Sequence, residues 1–436
     1  MHLMKNLFMS LLLAWVCAAA HAKSNNEELL GYWSGYASFE QERTRVALTF
    51  TRESGKLGAS ITLQDIGVSG WPAIDIKQRG KSVTVVLPSD SGPQELILEL
   101  RDGGLYGAWH EKNFSEPAAL HLTRQGLPVK REKRLRLQGE AGTLGASLIL
   151  PQGEGPFPAV VFLHGSGPQP RDASRFAAES FARQGIASLI YDKRGVGESE
   201  GALEKANFDD LAGDAIVAAN YLSSLDEIAK VGFWGHSQGG WLAPLAASRW
   251  EASTFVITSA GALVSPAREG EWGFVHAVKS FTGESAIEAN VRNTVAAWHD
   301  GLRSGNWESF DGAVQRYKSA DWFKASGLQT LVRRPDPSFA MSYKAYMDYD
   351  PLAVMNKLGA PMLAIYALED ESIDSEESLA LLSQFAESGK PIRIKTYQGY
   401  SHSMRKLASG NKRLRFPNHP EDYFSVQAEF ILQAVK

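Results

Sequence analysis

Val231-Gly232-Phe233-Trp234 runs directly into Gly235-His236-Ser237-Gln238-Gly239, and from Gln238 to Ser248 the chain continues as a largely apolar run with helical spacing. A buried strand, a turn with glycine at each end and then a helix form a setting in which one side chain is lifted clear of a sheet. The turn strains the backbone of Ser237, and the flanking glycines remove Cβ atoms that would collide with the neighbouring strand and helix. Gly-x-Ser-x-Gly alone carries little, since at ordinary usage it occurs by chance in roughly one chain in several of this length. Its placement between strand and helix gives it meaning. Ser237 is expected as an exposed hydroxyl at the top of a sheet, with the Gln238 N–H opening a helix whose dipole favours developing negative charge.

Working outward, the same grammar repeats. Apolar runs at Thr143–Leu150, Pro158–Leu163, Ala187–Tyr191, Thr254–Ala260, Pro361–Ala367 and Ile392–Tyr397 alternate with helical spacing at Phe176–Gln184, Phe208–Leu222, Glu376–Ala386 and Ser425–Val435. Buried parallel strands alternating with helices predict an α/β fold, a doubly wound, mostly parallel sheet over residues 135–436. Between Ala260 and Pro361 about a hundred residues show helical spacing and many aromatics, among them Trp272, Trp298, Trp322 and Tyr346. A structureless loop of that length is improbable in a compact domain, so a helical cap over about 264–357 is expected above the strands' C-terminal edge.

Upstream the period falls to two: Val46, Leu48 and Phe50; Val83, Val85 and Leu87; Leu96, Leu98 and Leu100. Runs of this kind, punctuated by glycine-bearing turns, predict a small all-β domain at 27–125, an antiparallel meander of about eight short strands. Trp33, Trp71 and Trp109 read as its core aromatics. Residues 126–134, with Pro128 and a basic run, read as a linker. At the start, Lys5, the apolar Leu7–Val16 and Ala20-His21-Ala22 make residues 1–22 a signal peptide, which predicts an exported chain, periplasmic or secreted, cleaved near Ala22. The apolar run is shorter than the roughly 20 residues a bilayer needs, so no stable membrane insertion is expected. Cys17 is the only cysteine, which excludes disulfides within the chain and any cysteine nucleophile after cleavage. A net charge of −4 without a Lys/Arg block gives no footprint for nucleic acid.

A serine hydroxyl needs a base to take its proton. Among the ten histidines, His402 in Gly399-Tyr400-Ser401-His402 falls just past the last strand and is assigned as general base, with His419 as the fallback. His236 is adjacent to Ser237, but its position in the turn is expected to aim it away from the base. The imidazole in turn needs a carboxylate. One strand earlier, Met362–Ala367 ends in Leu368-Glu369-Asp370-Glu371-Ser372-Ile373-Asp374; Asp370 is assigned, with Glu369 and Asp374 as alternatives. For the oxyanion the Gln238 N–H needs a second donor. His164-Gly165-Ser166-Gly167-Pro168 follows Leu163, and Ser166 is assigned, Gly165 being close behind.

With Ser237, Asp370 and His402 in that order, and with Asp192-Lys193-Arg194-Gly195-Val196-Gly197-Glu198-Ser199 matching an Asp-x-Arg-Gly-x-Gly-x-Ser stretch after the fourth strand, residues 135–436 less the cap resemble the α/β-hydrolase superfamily. In that family the stretch is structural, shaping a loop beside the oxyanion strand. Ala367 departs from the commonest acid motif, where a glycine is usual. Gly31-Tyr32-Trp33-Ser34-Gly35 and Gly107-Ala108-Trp109 resemble strands of the small β-domain ahead of some bacterial exported hydrolases. The resemblance implies a serine hydrolase working through an acyl-enzyme, with no cofactor and no metal, on a small-molecule acyl ester or peptide. Carboxylic-ester hydrolysis is the leading expectation. A serine peptidase, aminopeptidase or prolyl-oligopeptidase-like, is the alternative, with Glu271, Glu284 and Glu288 as acids that could hold an ammonium. An inactive ligand-binding hydrolase fold is the third. Oligomeric state is not legible.

Overall fold

The computed structural model describes residues 28–89, 91–126, 131–282, 287–409 and 413–436; the expected signal peptide, Glu284 and residues 127–130 of the expected linker lie outside them. The chain divides into two compact units, one of residues up to 129 together with 408–419, the other of 130–407 together with 420–436.

In the first unit the period-two runs become one antiparallel sheet: β1 (Gly31–Phe39), β2 (Glu42–Glu53), β3 (Lys56–Leu63), β4 (Val68–Pro72), β5 (Asp75–Arg79), β6 (Ser82–Leu87), β7 (Gln94–Arg101), β8 (Gly104–His110) and β9 (Ala118–Gln125). Their order is β4-β3-β2-β1-β9-β8-β7-β6-β5. Turn residues with positive φ, such as Ser54-Gly55 and Asp102-Gly103, close the hairpins. The sheet is curled. After β4, Ala73 N donates to Ala59 O on β3 at 2.9 Å and Ile74 N to Val86 O on β6 at 2.8 Å, so one short connection ties to strands from both ends of the order. Trp33, Leu48, Phe50, Ile61 and Trp109 fill the interior, and Trp71 packs against it. The buried indole N–H groups find acceptors, Trp33 at Leu29 O (2.8 Å) and Trp109 at Gln94 Oε1 (3.1 Å).

Residues 408–419, expected in the α/β domain, belong instead to this β-unit. Phe416 is part of its core and Arg415 is buried within it. A segment that leaves one core to enter another carries no periodicity of its own, so no pattern marked it.

The second unit begins earlier than expected. Arg131–Arg134, expected as linker, form the first part of β10 (Arg131–Gly139), paired antiparallel with β11 (Gly142–Leu150) from Arg131↔Leu150 onward. The basic side chains hid an edge strand, where Lys and Arg are favoured because they discourage further pairing. Then come β12 (Phe157–Leu163), α1 (Arg175–Ala182), β13 (Ala187–Tyr191), α2 (Phe208–Ser223), β14 (Ile228–His236), α3 (Gln238–Arg249) and β15 (Ser253–Ser259). The insertion supplies α4 (Pro266–Thr282), α5 (Glu288–Ser304), α6 (Glu308–Tyr317), α7 (Asp321–Ala325), α8 (Pro337–Tyr346) and α9 (Pro351–Lys357). The sheet closes with β16 (Met362–Ala367), α10 (Ser375–Glu387), β17 (Ile392–Tyr397) and α11 (Tyr423–Ala434).

Strand order is β10-β11-β13-β12-β14-β15-β16-β17, parallel from β13 to β17. The chain leaves β12 to one side to make β13 and returns on the other side to make β14. That reversal is the switch point beyond whose strand ends ligands bind in open α/β sheets. The loops after β12 and β14 carry His164–Pro168 and Ser237, so the topology alone brings the expected oxyanion loop beside the expected nucleophile.

The inserted helices pack a separate core of Val275, Val291, Val295, Trp298, Phe310 and Phe323 among others. Val354 and Met355 of α9 instead join the main core. Where insertion meets sheet layer, Phe208 of α2 stacks on Tyr346 at 4.7 Å, and Tyr349 Oη donates to Trp241 O at 3.3 Å.

Candidate active site

Ser237 lies between β14 and α3 with φ 55° and ψ −119°, a conformation few residues with a Cβ adopt. Two glycines make it possible. A Cβ on Gly235 would lie 1.9 Å from Gly239 O, and one on Gly239 would lie 2.6 Å from Leu163 O. Neither position has room for any other residue. The turn is anchored by Ser237 N donating to Ser259 O at 3.0 Å and Gly240 N to Ser237 O at 2.7 Å.

His402 Nδ1 donates to Asp370, 2.9 Å from Oδ2 and 3.0 Å from Oδ1. The Asp370 side chain is fully buried, and its Oδ1 also accepts Ser372 N (2.8 Å) and Ile373 N (3.0 Å). These bonds fix the carboxylate and leave His402 Nε2 as the proton acceptor of the ring. The alternatives weighed for the acid have other partners: Glu369 Oε2 accepts Gly399 N at 2.6 Å, and Asp374 caps α10 through Glu377 N at 2.9 Å. Glu371, which pattern reading passed over, accepts His402 N at 3.0 Å. His419 belongs to the β-unit, where its N–H donates to Asp65 O at 2.7 Å.

His236 does not point away from the base. Its ring centroid lies 5.0 Å from that of His402, and its Nδ1 lies 3.1 Å from Ser259 O. Side-chain direction out of a residue beside a strained turn cannot be inferred from spacing, which is why the expectation failed. Burial, then the adjacent His402, push its pKa down to about 4, so His236 is a neutral ring packed on the base. His402 is thus packed on the residue that directly precedes Ser237 in the chain. Among the described residues Ser237 Oγ has no hydrogen-bond partner, which leaves it available.

Gly165 abuts the turn: a Cβ there would lie 3.6 Å from His236 O and 3.7 Å from Ser237 Cβ. Ser166 is exposed while Gln238 is buried at the first turn of α3. Within the Asp192–Ser199 stretch, Asp192 and Arg194 make the structural contacts expected of it. Asp192 accepts Arg171 N (2.7 Å), Arg171 Nη2 (2.6 Å) and Glu198 N (2.9 Å), and Arg194 grips Asp214 through Nε (2.7 Å) and Nη2 (2.9 Å).

Of the acids considered for an ammonium, Glu271 and Glu288 are both engaged by Arg292, the second at 2.7 Å. Pattern reading missed Glu269, in the first turn of α4. Its Oε2 is buried without a hydrogen-bond partner among the described residues, and burial, with Asp370 adding repulsion, raises its pKa to about 8. Among the described residues no cluster of His, Cys, Asp and Glu could hold a metal, and no helix is long and apolar enough to cross a membrane.

Residues 154–406, more than half of the chain, match the family model Hydrolase_4, described as serine aminopeptidase, S33. Esterase EstD of Thermotoga maritima is 25% identical over 288 residues, covering 63% of this chain and 60% of its own length. Polyketide transferase claH of Penicillium crustosum is 27% identical over 271 residues, 58% of this chain and 81% of its own. Among solved structures, Est1E from Butyrivibrio proteoclasticus aligns with a TM-score of 0.43 and 16% identity over 69% of this chain and 98% of its own.

Proposed function

The chain belongs to the serine aminopeptidase, S33, family and is an α/β-hydrolase serine hydrolase, and from that premise we propose that it cleaves carboxylic esters through Ser237, His402 and Asp370. Ser237 Oγ attacks the acyl carbonyl as His402 Nε2 takes its proton, with Asp370 holding the imidazolium. The N–H groups of Gln238 and Ser166, with Gly165 N–H next in line, receive the oxyanion. His402 returns the proton to the leaving alcohol, and a water repeats the cycle on the acyl-enzyme, releasing the acid and free Ser237. The observation that carries this reading is a buried carboxylate paired to His402 Nδ1, with that ring packed on His236, the residue before a serine held at positive φ between strand and helix. The esterase-named relative supports the ester bond as the target.

The test is direct. Purified protein is expected to hydrolyse short acyl esters faster than amino-acid arylamides, and a fluorophosphonate to label the wild type but not Ser237→Ala. An intact wild type that takes no label would instead favour the ligand-binding alternative.

One observation favours the aminopeptidase reading, the unpartnered carboxyl of Glu269 close enough to Asp370 to feel its charge. A substrate ammonium would satisfy it. Arylamide turnover above ester turnover, lost in Glu269→Gln while ester turnover persists, would establish that reading over the first. In either case the inserted helices are proposed as the cap that shapes the acyl or amine pocket. Export rests on the leader in residues 1–22, and a mature N-terminus at Lys23 is the expected result of N-terminal sequencing.

A further inference from the structure

Lys193 is 2% exposed, and its three ammonium protons meet three neutral oxygens: Gly165 O at 2.8 Å, Gly167 O at 3.1 Å and Gln238 Oε1 at 2.7 Å. Among the described residues no carboxylate pairs with it, because the neighbouring Asp192 is committed to Arg171. Burying a cation without a counter-ion works against stability, and burial lowers the pKa of this one to about 8. His164, the other titratable group against it, is held neutral at about 4 by burial and by the Lys193 charge, with its Nε2 2.6 Å from Tyr191 O. An apolar side chain would fill the space with less penalty, so the reason for a lysine lies in what it holds.

Two of its acceptors belong to the loop after β12 and the third to the first residue of α3. In a trans peptide the C=O of one residue and the N–H of the next point in opposite directions. Drawing Gly165 C=O down onto the ammonium therefore turns Ser166 N–H away from it. The same ammonium holds the side chain of Gln238, whose backbone N–H is the other oxyanion donor. Gln169 Nε2 steadies the loop further by donating to Ser166 O at 3.1 Å.

We propose that Lys193 is a positioning residue of the oxyanion hole: it holds the Ser166 and Gln238 donors in register from beneath and sets an uncompensated positive charge behind them. The proposal rests on the serine-hydrolase mechanism above. It asks for interactions that matter most when the acyl oxygen carries charge, and so for an effect on kcat rather than KM.

The experiment compares wild type with Lys193→Met, which keeps the length and loses the charge, on a short acyl ester. The expected result is a kcat lower by about 10- to 100-fold, KM changed by less than about threefold, and affinity for an alkylboronic acid, a tetrahedral mimic, falling with kcat/KM. Thermal unfolding verifies that the variant is folded. If Lys193→Met does not fold, Gln238→Met carries the test, because it keeps the backbone donor and removes one acceptor; about a fivefold fall in kcat with a parallel loss of boronate affinity is expected. A folded variant with kcat within twofold of wild type, or with kcat lowered and boronate affinity unchanged, overturns the proposal. A wild type with no esterase activity and no fluorophosphonate labelling would instead fail the mechanism on which it rests.

Discussion

Three consecutive acids, Glu369, Asp370 and Glu371, serve one histidine in three ways. The outer two hold backbone N–H groups of the loop, at Gly399 and at His402 itself, and the middle one holds the ring. Only the middle one acts on the tautomer, so Asp370→Asn should lower kcat by roughly 10³- to 10⁴-fold with the fold intact, measured on a chromogenic ester. Glu371→Ala, which frees the backbone N–H without altering the ring's partner, should cost far less, on the order of tenfold. Glu269 belongs to the same electrostatic neighbourhood. Its pKa rises from the ordinary 4.5 of a glutamate to about 8, so between those values the folded state holds a proton that the unfolded state has released. Stability therefore falls as pH rises through that window. Glu269→Gln should leave the unfolding free energy nearly unchanged at pH 5 and raise it by about 2 kcal/mol at pH 9, read by urea unfolding at both values. A variant destabilised equally at both would contradict this.

At the scale of elements, the strand-turn-helix around Ser237 is held by backbone on both sides. Its glycines are fixed by backbone atoms on the facing side, which cannot yield as a flexible side chain can. Gly239→Ala must push against Leu163 O, the end of β12 and the approach to the proposed oxyanion loop. A loss of about 3 kcal/mol or more in chemical denaturation is expected, together with a kcat loss in whatever folds, since the displaced loop carries Ser166. This constraint is also why the stretch was so legible: backbone geometry that only glycine permits must be written as glycine. The strands and helices of the sheet were legible for a related reason, since a buried period of two or 3.6 leaves its mark on every turn of chain. What stayed hidden was direction rather than identity. The turn reveals that His236 neighbours Ser237 but not that its ring lies against His402, and nothing in Lys193 within its motif announces which oxygens it will meet.

On the scale of the whole molecule, the β-unit is not continuous in sequence, and that was not legible at all. Its core takes Phe416, and its buried polar network takes Arg415, from a segment nearly three hundred residues beyond β9. Glu42 Oε2 accepts both Arg415 N and Phe416 N at 2.8 Å. The Arg415 guanidinium reaches Trp109 O at 2.5 Å, Glu116 O at 2.8 Å and Glu111 Oε2 at 2.7 Å. Burial raises the pKa of Glu111 despite that cation, and lowers that of Arg415 despite that acid, so desolvation outweighs attraction on both sides. A pair of this kind adds little when intact but is costly when halved. Arg415→Ala in the full chain should therefore destabilise the β-unit by about 3–5 kcal/mol, because it strands the Glu111 carboxylate. Arg415→Met combined with Glu111→Gln, which removes both charges, should recover most of that loss. With two compact units unfolding need not be two-state, so the measurement is hydrogen exchange of amides in β7, β8 and β9, where protection should fall in the single variant and return in the double. Equal loss in both variants would mean that the segment holds the β-unit through the packing of Phe416 and the Glu42 backbone contacts alone.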